Sequence, residues 1–284
     1  MFQSFKVTAR PEQGPPRLAA LRAELLRVGL DGFLVPRADA HQGEYVAPRD
    51  DRLAWLTGFT GSAGFCAALR DVAGVFIDGR YRTQVKAQVA EVFTPVPWPE
   101  VSLADWLKDQ LPEGGVVGFD PMLHTPGQMD LLVEALAGSG IELRRSENMV
   151  DRVWENQPAA PMGKVAAHPE RFAGESHAAK RQRLAADLRA AGQKAALITL
   201  PDSHNWLLNI RGQDIPRNPV AHGFAVLHDD ARVDLFMAAE KLADVADHLG
   251  PEVVQHDPAG LPDYLRALEG PVRLDRQSAP VLFA

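Results

Sequence analysis

The sequence predicts an α/β fold built twice, two units that each hold a mixed β-sheet flanked by helices, within 284 residues. Three observations predict it. One order of elements recurs along the chain, strand-length apolar runs alternate with helix-length stretches, and a proline-marked connector separates the two copies.

The first copy opens on a helical stretch, Leu18 to Gly29, followed by the apolar strand Gly32 to Pro36. After a polar loop come Trp55-Leu56-Thr57-Gly58-Phe59 and then two strands, Phe65 to Leu69 and Gly74 to Ile77, joined by a short turn as an antiparallel hairpin. The second copy repeats this order with Leu184 to Gly192, Ala196 to Pro201, Trp206-Leu207-Leu208-Asn209-Ile210, Gly223 to Leu227 and Val233 to Met237. The next strand recurs too, Val116 to Asp120 against Val272 to Asp275. Gly32 to Val35 and Ala195 to Leu200 are continuous apolar runs, the pattern of strands buried on both faces. Thr125-Pro126 predicts a helix N-cap with proline in the first turn, and Glu175-Ser176 leads a long helix that Gly192 ends. Asp202 or Ser203 is expected to cap a helical turn over 205–210. Met149 to Trp154 reads as a short helical turn closing the first copy.

Pro158, Pro161 and Pro169, among few apolar residues, mark the connector. The expected domains are therefore 1–157 and 168–284. Because the second copy ends at Ala284, about where its next helix should form, the chain is expected to be a fragment.

Composition excludes several classes. The apolar share of 46% with 24% charged residues is that of a globular protein. No run of about 18 apolar residues is present, so no membrane span is expected, and Met1 to Lys6 lacks the apolar core of a secretory signal. A net charge of −7 argues against general nucleic-acid binding. The basic run Lys180-Arg181-Gln182-Arg183 reads as a solvated helix face. The single cysteine, Cys66, suits a reducing cytoplasm and reads as a small core residue.

The chain carries no H-E-x-x-H, C-x-x-C, phosphate-loop or G-x-S-x-G motif. Four loops remain as candidates. Gly58 to Gly64 is either a tight turn into the next strand, the favoured reading, or a nest of amides for an anion. Asp39-Ala40-His41-Gln42-Gly43-Glu44-Tyr45 gathers Asp39, His41 and Glu44 after the first strand, where they either bond within the loop or serve a metal or proton. In Asp78-Gly79-Arg80-Tyr81 the aspartate is placed to cap a helix over 81–89, and Arg80 presents a planar fork to a carboxylate or forms a local ion pair. Asp214 and Arg217 either pair with each other or face another domain. Asp202-Ser203-His204 is too contiguous for a catalytic relay. The histidines at 124, 168, 177, 228, 248 and 256 lack ligand spacing and read as surface or packing residues.

Together, Asp39 to Tyr45, Leu56 to Gly64 and Asp78 to Tyr81 closely resemble the first domain of the large, three-domain Xaa-Pro aminopeptidases of the aminopeptidase P family. Trp206 to Gly212, with Asp214-Ile215 and Asn218-Pro219-Val220, is similar to that family's second domain. The doubled unit favours this kind over creatinase and prolidase, which carry one such unit. The resemblance implies two creatinase N-terminal-like units and a third, pita-bread domain, absent here, with two divalent metal ions, usually manganese. It places no catalytic residue and no metal ligand in this chain. What it implies for 1–284 is a non-catalytic part that shapes and restricts the cleft of an enzyme removing the residue before a penultimate proline. Arg80 and His41 are then the expected substrate-binding residues. The implied partners are the chain's own C-terminal catalytic domain and short peptides with proline second, in a cytoplasmic homodimer. By itself the chain is expected to be inactive. A second reading is a non-catalytic peptide- or protein-binding module of the same fold.

Overall fold

A computed structural model describes residues 7–284; the Met1 to Lys6 stretch, considered above for a secretory signal, lies outside the described residues. The chain forms two compact units that are not contiguous in sequence. The first holds residues 7–38 and 48–158, and the second holds Asp39–Ala47 with Ala159–Ala284.

The first unit runs α1 (Gly14–Val28), β1 (Gly32–Pro36), α2 (Arg52–Thr57), β2 (Gly64–Leu69), β3 (Ala73–Ile77) and α3 (Gln84–Gln88). It continues through β4 (Thr94–Pro97), α4 (Leu103–Gln110), β5 (Gly115–Phe119), α5 (Pro126–Ala135), β6 (Ile141–Arg145) and α6 (Met149–Val153). The sheet order is β4-β3-β2-β1-β5-β6. The β1–β2–β3 pairs are antiparallel, while β4, β5 and β6 join in parallel. Alternation along β1 sends Phe33 and Val35 to one face, where Leu18, Leu21 and Leu25 of α1 meet Leu53 and Leu56 of α2 and Met149 and Val150 of α6. Cys66 lies in this core with its thiol pushed up to about 12 by burial. Helix ends follow the sequence signals. Gly29 ends α1 in the left-handed conformation, and Thr125 with Gln128 forms a capping box at α5.

The second unit runs β7 (Ala166–Ala167), α7 (Glu170–Ala173), α8 (His177–Ala190), β8 (Ala195–Ile198), α9 (Pro201–Leu208) and β9 (Ile210–Arg211). Then follow β10 (Phe224–His228), β11 (Val233–Phe236), α10 (Ala239–Leu242), α11 (Ala246–Leu249), β12 (Val253–His256), α12 (Leu261–Ala267) and β13 (Val272–Arg273). Its main sheet, β12-β11-β10-β8-β13, repeats the pairing of β4-β3-β2-β1-β5 strand for strand and direction for direction. The register repeats as well: Gly32 pairs with Leu69 and Val117, and Ala195 pairs with His228 and Val272. The duplication expected from the sequence is thus a duplication of topology.

Two local expectations need correction. The helix near Trp206 begins earlier than expected: Leu200 is its N-cap and Pro201 opens it, so Asp202 and Ser203 lie inside the first turn. Lys180 and Arg181 are not a solvated face, being 1% and 4% exposed. Lys180 Nζ donates to the Trp206 carbonyl at 2.9 Å and to Asn209 Oδ1 at 2.7 Å, and it sits 4.2 Å from the Trp206 ring. Arg181 reaches the Ala231 carbonyl at 2.9 Å. Long aliphatic stems let both cations lie along the apolar stripe while their heads find oxygen partners.

Candidate functional site

The two expected substrate-binding residues, Arg80 and His41, fall in different compact units. In the first, Asp78 caps the 3₁₀ turn Gly79–Tyr81, accepting from Arg80 N at 2.9 Å; the helix expected over 81–89 is this turn followed by α3. The Arg80 guanidinium grips Asp78 with Nε at 3.1 Å and Nη2 at 2.6 Å, and lies 5.1 Å from the Tyr81 ring. The hydrogen bond from Arg80 holds the Asp78 carboxyl below its ordinary range. The Arg80 side chain is 65% exposed, so its fork is both oriented and open to solvent. Tyr81 in turn bonds Ser62 at 2.6 Å and meets Phe59 edge-on, which ties this turn to the glycine-rich loop.

That loop is a packing device. At Gly58, in the left-handed region, a Cβ would come 2.3 Å from the Gln88 carbonyl oxygen, and at Gly61 it would strike the Phe59 ring at 2.2 Å. Two of its amides are also taken, Phe59 N by Thr57 Oγ1 and Thr60 N by Gln88 Oε1. The tight-turn reading accounts for the glycines without an anion.

His41 belongs to the second unit, where the Asp39–Ala47 segment is packed. Asp39 Oδ1 accepts from His41 N at 2.9 Å and from Gly43 N at 3.4 Å, holding the loop in a turn. The His41 ring is 7% exposed and lies 4.5 Å from the ring of His222 and 4.6 Å from that of Phe224. Its Nδ1 meets the Thr199 carbonyl at 3.0 Å. As placed, this side chain anchors a loop and does not present itself to a ligand.

Around His41 lies a buried polar cluster that sequence reading did not assemble. Burial first, then the neighbouring His41 and Lys241, push His204 and His222 down to about 3, so both imidazoles are neutral. Lys241 forms a buried pair with Asp214 and donates to the His222 carbonyl at 2.8 Å. Asp214 also accepts from Gly163 N at 2.9 Å and His222 N at 2.6 Å. Its ion-pair partner among the described residues is Lys241. The available signal was Asp214 and Lys241 standing among buried neighbours, but nothing in one sequence pairs positions 27 residues apart.

A second cluster joins two of the histidines read as surface or packing residues, His228 and His256. Asp234 on β11 accepts from His228 on β10 at 2.7 Å, from His256 on β12 and from Tyr264 on α12. Burial raises the Asp234 carboxyl, but bonds from Tyr264, His256 and His228 outweigh it and leave it below its ordinary range. The readable signal was an aspartate inside the apolar run Val233–Phe236. Every nitrogen facing that carboxylate is spent on it, and among the described residues no group of three or more His, Cys, Asp and Glu side chains could hold a metal ion. The described residues therefore do not fit a di-nuclear metal centre.

With this geometry in place, comparison with known proteins is direct. Residues 17–153 and residues 156–283 each match a creatinase/prolidase N-terminal domain. The chain belongs to the creatinase/prolidase N-terminal domain family. It is 38% identical over 243 residues to a probable Xaa-Pro aminopeptidase P of Paracoccidioides brasiliensis, a match spanning 84% of this chain and 39% of that protein. A probable Xaa-Pro aminopeptidase P of Ajellomyces dermatitidis is 37% identical over 254 residues, spanning 86% of this chain and 40% of that protein. Among solved structures, the X-prolyl aminopeptidase of Caenorhabditis elegans, a cytosolic enzyme with a di-nuclear active site, is 28% identical with a TM-score of 0.85. That match covers 95% of this chain and 48% of the nematode chain. The chain thus spans about two fifths of the length of its fungal relatives and about half of the nematode structure. The resemblance read from the motifs, to the two N-terminal domains of an Xaa-Pro aminopeptidase, is borne out. No helix of the described residues is long and apolar enough to cross a membrane.

Proposed function

We propose that this chain is the non-catalytic N-terminal part of a cytosolic, metal-dependent aminopeptidase that removes the first residue from peptides with proline second. In this reading the two units shape and restrict the substrate cleft, and the metal ions, expected to be manganese, are held by a catalytic domain of the same polypeptide, in a homodimer. The observation that carries the reading is the match of both units at once to an X-prolyl aminopeptidase, across 95% of the chain.

Arg80 is the residue assigned to substrate. A planar guanidinium, oriented by Asp78 and exposed, suits the carboxylate of a short peptide, which would share the fork with Asp78. His41 is assigned an indirect part, holding the Asp39–Ala47 loop in place instead of touching peptide. The test is Arg80→Ala in the full-length enzyme. For a tripeptide with proline second the KM rises several-fold while kcat changes little, because uniform binding is what is lost. An unchanged KM would remove Arg80 from the substrate site.

A further inference from the structure

The end of β3 carries more than Arg80. Its last residue, Ile77, pairs with Gly64 at the start of β2 and with Pro97 at the end of β4. Trp98 N extends the second ladder by donating to the Ile77 carbonyl at 2.9 Å, and Arg82 forms an ion pair with Glu100. The turn that begins at Asp78 and the segment that begins at Trp98 therefore leave the sheet side by side, from strands about 4.8 Å apart.

Strand alternation decides which side chains face that turn. Val75 and Ile77 enter the core under α1, so Phe76 and Asp78 take the opposite face. Phe65 and Val96 are the register partners of Phe76, and Trp98 stands two residues past Val96. Phe65 stacks on Phe76 at 4.4 Å and 12°, and Trp98 meets Phe65 edge-on at 6.1 Å and 79°. These two rings come from either side of β3, so they close over its end, where Asp78 begins and grips the Arg80 fork. The support beneath is fixed. Phe76 is fully buried and meets Trp106 edge-on at 5.5 Å, while Val101 N donates to the Pro97 carbonyl at 2.8 Å and closes a turn around Trp98. Above it, Trp98 is 38% exposed and Phe65 is partly buried.

We infer that Phe65 and Trp98 form an aromatic shelf for the side chain of a peptide's C-terminal residue, and that Trp98 makes the enzyme prefer an apolar, above all aromatic, residue there. The inference rests on the assignment of Arg80 to the peptide carboxylate. A C-terminal side chain branches from the carbon that bears the carboxylate, so a carboxylate held at the fork delivers that side chain to the surface beside it. Ring edges and faces at the shelf suit an aromatic group. The carboxylates of Asp78 and Glu100 at its rim disfavour an acidic one.

The test uses the full-length enzyme and two peptides, Ala-Pro-Phe and Ala-Pro-Gly. The ratio of their kcat/KM values should favour the first by about ten-fold, mostly through KM. Trp98→Ala should bring that ratio close to one, and Trp98→Phe should keep most of it. A ratio near one in the parent enzyme would overturn the inference. So would a Trp98→Ala enzyme that loses activity on both peptides alike, since Trp98 would then support the fold without selecting substrate. Arg80→Ala separates this inference from the reading beneath it. A raised KM for both peptides, beside a ratio that Trp98→Ala leaves unchanged, would overturn the shelf and spare Arg80. An unchanged KM in Arg80→Ala would overturn both.

Discussion

The first and second units carry one topology but spend it differently. On the helical face, the first unit is sealed by α6; in the second, among the described residues, Leu184 is partly buried and Trp206 is 43% exposed. On the opposite face, Gly74 and Phe76 of the first unit pack against Trp106, with Phe76 and Trp106 edge-on at 5.5 Å, and Val96 pairs with Phe76. The second unit keeps that edge-on pair as Phe236 and Tyr264 at 5.1 Å, but replaces the glycine and the valine with Asp234 and His256, making a hydrogen-bonded layer. The backbone pairing of a mixed sheet is indifferent to these exchanges, because strand order and register are set by the apolar strands and the hairpin. What changes is how each unit is stabilised.

The comparison can be broken most sharply at the polar core of the second unit. Lys241→Met strands the buried Asp214 carboxylate and should cost about 3–5 kcal/mol, read as loss of hydrogen-exchange protection in residues 159–284. Protection within error of the parent chain would mean the pair is not desolvated. In the first unit Trp154→Ala should cost about 3 kcal/mol by opening a cavity over Trp55 and Leu21, with the loss confined to that unit.

Acid should also discriminate the units. His204 and His222 fold with values near 3, against an ordinary 6.5. Between those values the unfolded chain binds protons that the native cluster excludes. Stability of the second unit is therefore fully present above pH 6.5 and falls as pH drops toward 3, by about 1.4 kcal/mol per pH unit for each imidazole. His204→Leu, which also removes a buried ring nitrogen without a partner, should roughly halve that slope in urea unfolding measured across pH. An unchanged slope would show that His204 is protonated in the native state. The smallest effect is expected at Trp206→Ala, under about 1 kcal/mol, because this ring is half exposed where its counterpart Trp55 is stacked.

How much of this was legible depended on whether the signal was local. The duplication, the hairpins, the Thr125 cap and the burial of Cys66 are written in contiguous residues and appear as read. The fate of Lys180 and Arg181 was misread because charge pattern alone does not reveal oxygen acceptors supplied by a later helix. The two polar clusters were illegible for the same reason: His228, Asp234, His256 and Tyr264 meet only after β10, β11, β12 and α12 are placed side by side. Likewise, Asp39–Ala47 follows the first strand in sequence, yet its compact unit is the second. No periodicity in a nine-residue loop encodes that choice.

The account rests on these units serving a catalytic domain without doing chemistry themselves. The most direct measurement is turnover of a proline-second peptide by the purified 284-residue chain in the presence of manganese. No hydrolysis above the uncatalysed rate is predicted. Turnover that tracks the purified chain and disappears with a chelator would contradict the account, and would require a metal site that the described residues do not form.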